Sequence, residues 1–232
     1  MENSPIIGSG MIRKSTALKF LLMCGVLSSL LYIGTDILAA TLFYPGYSYT
    51  SQQVSELSAI GAPTRPLWVA MGRAYGFLMI AFGIGVWLSA GRKHSLRIAG
   101  ILMVAYVIIG IFWPPMHQRG SLGSSSMPTT DVLHLVFTAA TVLLIVLFIA
   151  FGSGAVGKRF RIYSIGTIVA MLVAGGAVGT QVQAIAAGRP TPWFGLIERV
   201  SVYAPMLWVA VLATMLLQAE KEPGSIWRFS VR

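Results

Sequence analysis

Charge is scarce in this chain, and acid is scarcer still. Among 232 residues there are seven Asp and Glu against seventeen Lys and Arg, and charged residues make up 10% of the whole. A soluble domain carries about 25%. This shortage excludes an ordinary soluble globule. With 56% hydrophobic residues and a mean hydropathy of +0.76, the composition is that of an integral membrane protein. Cysteine is almost missing. Cys24, alone in an apolar run, excludes a disulfide framework and a CxxC metal motif, and reads as a small core or lipid-facing residue. Three histidines are present, none in HxxxH or HExxH spacing. A long polar region is lacking too, so no separate soluble domain is expected.

What is there instead is a series of long apolar runs. A helix needs about 20 mostly apolar residues to cross a bilayer. Six segments qualify, at about 17–43, 66–90, 97–115, 130–152, 162–187 and 195–219. The expected fold is therefore all-α, a bundle of six transmembrane helices with tails at 1–16 and 220–232. The first run exceeds a signal-peptide core of about 7–15 residues and reads as a retained helix. Gly72 and Gly76, and Gly175 and Gly179, have GxxxG spacing, which lets helices approach closely within one chain or between copies in a homo-oligomer.

The basic residues fall unevenly. Twelve lie in loops or tails on one side: Arg13, Lys14, Lys19, Arg92, Lys93, Arg97, Lys158, Arg159, Arg161, Lys221, Arg228 and Arg232. Four lie on the other: Arg65, Arg119, Arg189 and Arg199, with Arg73 inside a span. The positive-inside rule then places both termini in the cytoplasm of a multi-pass cell-membrane protein. The net charge of +10 serves orientation and attraction to anionic lipid, so membrane lipids, and not nucleic acid, are the expected partner. The stretch QRGSLGSSSMPTT is expected to be mobile, and Trp227 and Phe229 in the C-terminal tail to touch the membrane surface.

The ionisable residues gather at the outer end. Asp36, Glu56, Asp131, Glu198, His117 and His134 all belong there, whereas His94 sits among the inner basic residues. Asp36 and Arg73 lie at equal depth, roughly 10 Å below the surface at about 1.5 Å per residue, and an ion pair between the first two helices is expected. Asp131 and His134, three apart, share a helix face. Asp131 also suits the first turn of its helix, after Thr129 and Thr130. His117, after the helix-ending Pro114 and Pro115, is placed to meet His134; together with Asp131, and with Glu56 near, they form a candidate zinc set. Glu198 and Arg199 point about 100° apart and should each find a partner elsewhere, while Pro205 is placed to kink the last helix.

The first outer loop is unusually rich, YPGYSYTSQQVSELSAIGAP at 44–63. Its residues 50–60 fit a short helix capped by Thr50 or Ser51, docked by Val54, Leu57 and Ile60, with Ser55 on another face and Glu56 turned toward Arg199. Tyr44, Tyr47 and Tyr49 suit the aromatic belt at headgroup level.

This tyrosine-rich segment with Ser55-Glu56-Leu57, together with Gly195-Leu196-Ile197-Glu198-Arg199 opening the last helix, resembles the family catalogued as domain of unknown function 998, from residue 20 to about 218. The resemblance implies a multi-pass bacterial or archaeal membrane protein and no established activity. Members often carry a phenylalanine-proline-acid turn after the third helix; here the place reads FWPPMH, without the acid. A looser likeness, in the order Asp36, Ser55, His117, Asp131, His134 but not in spacing, is to small zinc-dependent membrane hydrolases.

Four readings follow. The first is a non-enzymatic protein with an outward-facing polar cavity for a lipid headgroup or small solute, built from Asp36, Ser55, Glu56, Arg73, Asp131, His134, Glu198 and Arg199, with no cofactor. The second is a zinc-dependent lipid hydrolase using His117, His134 and Asp131, with a metal-bound water as nucleophile. A small transporter, with Gln181 and Gln183 as candidates, and an accessory subunit come after these. Orientation is directly testable. With Cys24 replaced by Ala, a cysteine at Ser124 should react with a membrane-impermeant maleimide in intact cells, and one at Arg92 only after permeabilisation.

Overall fold

The computed structural model describes residues 6–118, 128–181, 184–185 and 189–221. The Gly/Ser-rich stretch beyond Gln118, Arg119, Gln183, and the C-terminal tail with Trp227 and Phe229 lie outside the described residues. Among those described, six helices are long and apolar enough to cross a membrane, and no strand forms beyond one isolated bridge between Ile60 and His117. The chain is an all-α, multi-pass membrane bundle. Its helices are α1 (Ile6–Leu38, carried on by a π-helical turn Ala39–Phe43), α2 (Arg65–Ser89), α3 (His94–Ile111), α4 (Thr129–Gly152), α5 (Lys158–Gly179) and α6 (Phe194–Lys221). In the first outer loop a single 3₁₀ turn, Val54–Ser58, stands where a longer helix is expected.

Local chemistry sets these ends. Pro66 opens α2 at a position where a missing N–H leaves no bond unmade. Pro114 and Pro115 lie just past α3 and cannot extend it. Gly157, at φ 127°, makes the turn into α5 that a side chain resists. Pro205 sits inside α6, yet the helix continues on both sides of it.

Packing sets α1 between α2 and α6. From there α2 leads to α3 and α3 to α4; α5 lies against α6, and lighter contacts between α4 and α5 close the ring. The apolar core fills the half of the bundle away from residues 44–64. Trp208 is wholly buried there; its indole N–H donates to Ser164 Oγ (2.8 Å), and its ring meets Phe148 at 5.8 Å and Phe160 at 5.6 Å. Met79, Phe82, Met103, Leu212 and Cys24 complete this core.

The glycines work inside the chain, though not at the spacing first noted. Gly76 faces Val107 of α3 and Gly175 faces Ser201 of α6, while Gly72 and Gly179 face open space. The closest crossing is elsewhere. A Cβ on Gly100 would lie 2.6 Å from the Gly83 carbonyl oxygen, and one on Gly83 would lie 2.9 Å from that of Gly100. Backbone meets backbone where α2 crosses α3, so neither side can yield. Gly100→Ala should therefore lower stability by about 1–3 kcal/mol, read as a fall in the detergent unfolding temperature. Gly166→Ala, with nothing within 4 Å of its Cβ, should not.

Candidate functional site

One buried ion pair organises the end of the bundle that carries residues 44–64. Asp36, on the last full turns of α1, is 0% exposed, and Arg199, in the second turn of α6, is 3% exposed. Arg199 Nε donates to Asp36 Oδ2 (2.8 Å) and Nη2 to Oδ1 (2.9 Å), a two-pronged contact that matches the guanidinium fork to the carboxylate. The rest of the guanidinium is used as well. Nη2 donates to the Tyr47 hydroxyl (3.0 Å), and Nη1 to the carbonyls of Tyr49 (2.8 Å), Gly195 (3.2 Å) and Gln52 (3.3 Å). The Tyr49 ring lies over Arg199 Cζ at 3.6 Å. Asp36 Oδ2 also accepts a short hydrogen bond from Tyr203 and a long one, 3.5 Å, from Tyr49. A buried charge is tolerated only when paired and fully hydrogen-bonded, and both members of this pair are.

The expected partner of Asp36 was Arg73, and the structure corrects this. Arg73 is exposed. The residues by which α2 meets α1 include Trp68, Tyr75 and Phe82. Arg73 stands two residues before Tyr75, roughly 200° around the helix at about 100° per residue. The direction Arg73 faces is what separates it from Asp36.

The first outer segment is fastened to the same place. Thr50 O accepts from the Gly195 and Leu196 amides (2.8 and 3.3 Å), two of the N–H groups that a helix start leaves without an internal partner. Gly195 allows this approach, since a Cβ there would collide with the Gln52 carbonyl and lie 2.6 Å from that of Tyr49. Glu198 Oε2 accepts the Val54 amide (2.6 Å). Glu56, 2% exposed, does not join Arg199. It accepts from Gln52 Nε2 (2.8 Å) and the Gln53 amide (3.1 Å), closing a capping box on its own 3₁₀ turn with Gln53, and not Thr50 or Ser51, as the cap. Ser55 donates to Gln53 Oε1 (2.8 Å). Val54 and Leu57 are buried as expected, but Ile60 is 40% exposed and is held by its backbone, whose amide donates to Met116 O (2.8 Å).

The tyrosines turn inward instead of forming a belt. Tyr47 donates to the Gln53 carbonyl (2.6 Å), Tyr49 contacts Tyr203 through the hydroxyls (2.9 Å), and Tyr44 Oη accepts from Gln118 (2.6 Å). Burial pushes the Tyr47 phenol well above the usual tyrosine range, so it stays protonated and able to donate.

The histidines do not meet. His117 contacts Asp131 Oδ1 through both its amide (3.0 Å) and Nδ1 (2.9 Å), while His134 Nδ1 lies 2.8 Å from Pro114 O and 3.1 Å from Trp113 Nε1. Asp131 therefore secures the segment after α3 to the start of α4. Among the described residues no three His, Cys, Asp or Glu side chains come together as metal ligands would.

Beneath the ion pair, toward mid-membrane, the interior is less filled. Tyr32, one turn before Asp36, packs edge-on against Trp68 (5.6 Å) and Tyr75 (5.3 Å). A shallow, open crevice lined by Tyr32, Thr35, Trp68, Met71, Gly72 and Tyr75 has room for about one water molecule, about 20 Å³. Gly72 is exposed, and Tyr32 is half-buried with no hydrogen-bond partner for its hydroxyl among the described residues. Glu198 is half-buried, and its Oε1 has no partner among the described residues.

Residues 26–215 match the family model described as "Protein of unknown function (DUF998)". No curated protein and no solved structure matches the chain.

Breaking the Asp36–Arg199 pair from one side should be costly. Asp36→Asn and Arg199→Leu should each destabilise by about 3–5 kcal/mol, with the double variant losing less than the sum. Arg73→Leu should leave the unfolding temperature nearly unchanged, whereas an Asp36–Arg73 pair would make it as costly as Asp36→Asn.

Proposed function

The chain belongs to the DUF998 family of unknown function, and from its geometry we propose that it is a non-enzymatic integral membrane protein whose outer half binds a lipid headgroup or a small solute. The observation that carries this reading is the crevice at Tyr32. A bundle helix normally fills its inward face, yet Gly72, which lines the crevice with Trp68 and Tyr75, is exposed. The Tyr32 hydroxyl belongs to this lining and has no hydrogen-bond partner among the described residues. The lining is apolar and aromatic, and its size suits the insertion of a small group and not the enclosure of a whole ligand. The outer segment 44–64, fixed by Arg199 and Glu198, then roofs the site. The charge pair beneath the roof is a fastening and makes no contact with the ligand.

Gly72→Leu separates filling the crevice from breaking the fold, because nothing lies within 4 Å of a Cβ at this position. Native mass spectrometry from nanodiscs should show a bound small molecule or lipid on the wild type. The variant should lose it at an unchanged unfolding temperature. Identical spectra for the two proteins would refute the crevice as the site.

A further inference from the structure

Resting on the lipid reading above, we infer that Arg73 supplies its charge: an exposed guanidinium on α2 that takes the phosphate of a membrane phospholipid. The network around the ion pair leaves this arginine out. Arg73 stands eight residues after Arg65, where α2 begins, and so about 12 Å along the helix at about 1.5 Å per residue. That places it well inside a helix long and apolar enough to cross a membrane. It is exposed, and it makes no hydrogen bond or ion pair among the described residues. Ala70 and Phe77, one turn to either side on the same face, are exposed too. A charge in a membrane helix normally faces the bundle interior or a partner, because lipid tails do not solvate it. Arg73 faces outward, so its counter-charge has to come from outside the bundle.

The acids of the chain are all otherwise engaged or elsewhere. Asp36 is wholly buried and bound to Arg199. Glu56 is buried on its own 3₁₀ turn, and Asp131 is buried against His117. Glu198 is half-buried, holds the Val54 amide, and sits on α6, with α1 between it and α2. Glu220 is at the opposite end of α6. Glu2 and Glu222 precede α1 and follow α6, outside the described residues. Among the described residues, then, no acid stands on the bundle surface at the level of Arg73. This excludes a partner in the same chain, and it equally excludes an acid offered by the matching surface of a second copy.

A lipid phosphate fits what remains. Helical side chains tilt toward the N-terminus of their helix, and for α2 that is the end carrying residues 44–64. The long arginine stem therefore runs along the apolar face toward the headgroups and carries its charge with it. Headgroup phosphates are the anions at that level, and the planar guanidinium matches two phosphate oxygens at once. Gly72, the preceding residue, lines the crevice at Tyr32 and has nothing within 4 Å of where a Cβ would be. A lipid drawn to Arg73 thus has room for a small adjoining group beside the helix.

The test uses the full chain in dodecyl maltoside micelles, which contain no phosphate. Photoactivatable phosphatidylglycerol is compared with glucosyl-diacylglycerol of the same acyl chains and label, which has no phosphate. Crosslinks are counted by peptide mass spectrometry at residues 66–77 alone, so the basic residues at the other end of the bundle do not enter. In the wild type the phospholipid should label this stretch with at least about tenfold higher affinity. Arg73→Gln should reduce that preference to about twofold or less. Arg73→Lys, a cation without the fork, should keep part of it, which an unfolded variant could not. Excess inorganic phosphate should not displace the lipid; displacement would make the ligand a soluble anion and overturn the lipid assignment. Equal labelling by the two lipids in the wild type, or an unchanged preference in Arg73→Gln, overturns the phosphate anchor. If Gly72→Leu still loses its ligand in that case, the crevice reading stands without it. A preference lost in Arg73→Gln with no effect of Gly72→Leu supports the anchor and removes the crevice.

Discussion

The outer half of the molecule depends on one buried charge pair. Asp36 and Arg199 lie where the bilayer begins to replace water, and neither could stay charged there alone. Each therefore recruits every hydrogen-bonding group within reach. Asp36 draws the hydroxyl of Tyr203; Arg199 draws three backbone carbonyls and the hydroxyl of Tyr47. Two of those carbonyls belong to the first outer segment. That segment is long because it has to bring ligands to an arginine. Its tyrosines, glutamines and hydroxyl residues are the polar lining of a buried cation, closed at the top by Thr50 on the start of α6.

The same arrangement divides the bundle into two regimes. Away from the pair, large apolar side chains fill the space around Trp208, and packing alone is sufficient. Toward it, polar groups hold the geometry and packing is looser, which leaves the recess at Tyr32. Glu198 stays on the polar side of that divide, where one of its oxygens fastens the 3₁₀ turn to α6. Adjacent residues on α6 differ in role because 100° of helix rotation sends one into the knot and the other beside it.

The architecture was legible because hydrophobic length and basic asymmetry are properties of the chain itself. So was the need of Asp36 for a counter-charge, since a lone charge in an apolar run must be answered, and the need of Arg199 for a partner off its own helix. The pairing was not legible. Depth along a helix follows from residue counting, but the direction a residue faces depends on which helix becomes the neighbour, and α1 turned out to lie between α2 and α6. Glu56 was misdirected for a related reason. Gln53 and Glu56 form a capping box at the right spacing, a local arrangement that turns the acid back on its own 3₁₀ turn and away from Arg199. The Gly83–Gly100 crossing left no trace at a fixed spacing because its two glycines come from different helices. Tyr47, Tyr49 and Tyr203 as ligands of the pair follow only once the pair is placed.

The pair also joins the first membrane helix to the last, 163 residues apart. During synthesis at about 5–20 residues per second, Asp36 enters the membrane roughly ten to thirty seconds before Arg199 exists. For that interval α1 carries a carboxylate with no native counter-ion, and the Tyr49 and Gln52 carbonyls have no guanidinium to receive. The bundle therefore has a built-in last step. Only the arrival of α6 supplies the guanidinium that Asp36 and the Tyr49 and Gln52 carbonyls share, so a chain truncated before α6 keeps the acid and loses the fastening of the segment at 44–64.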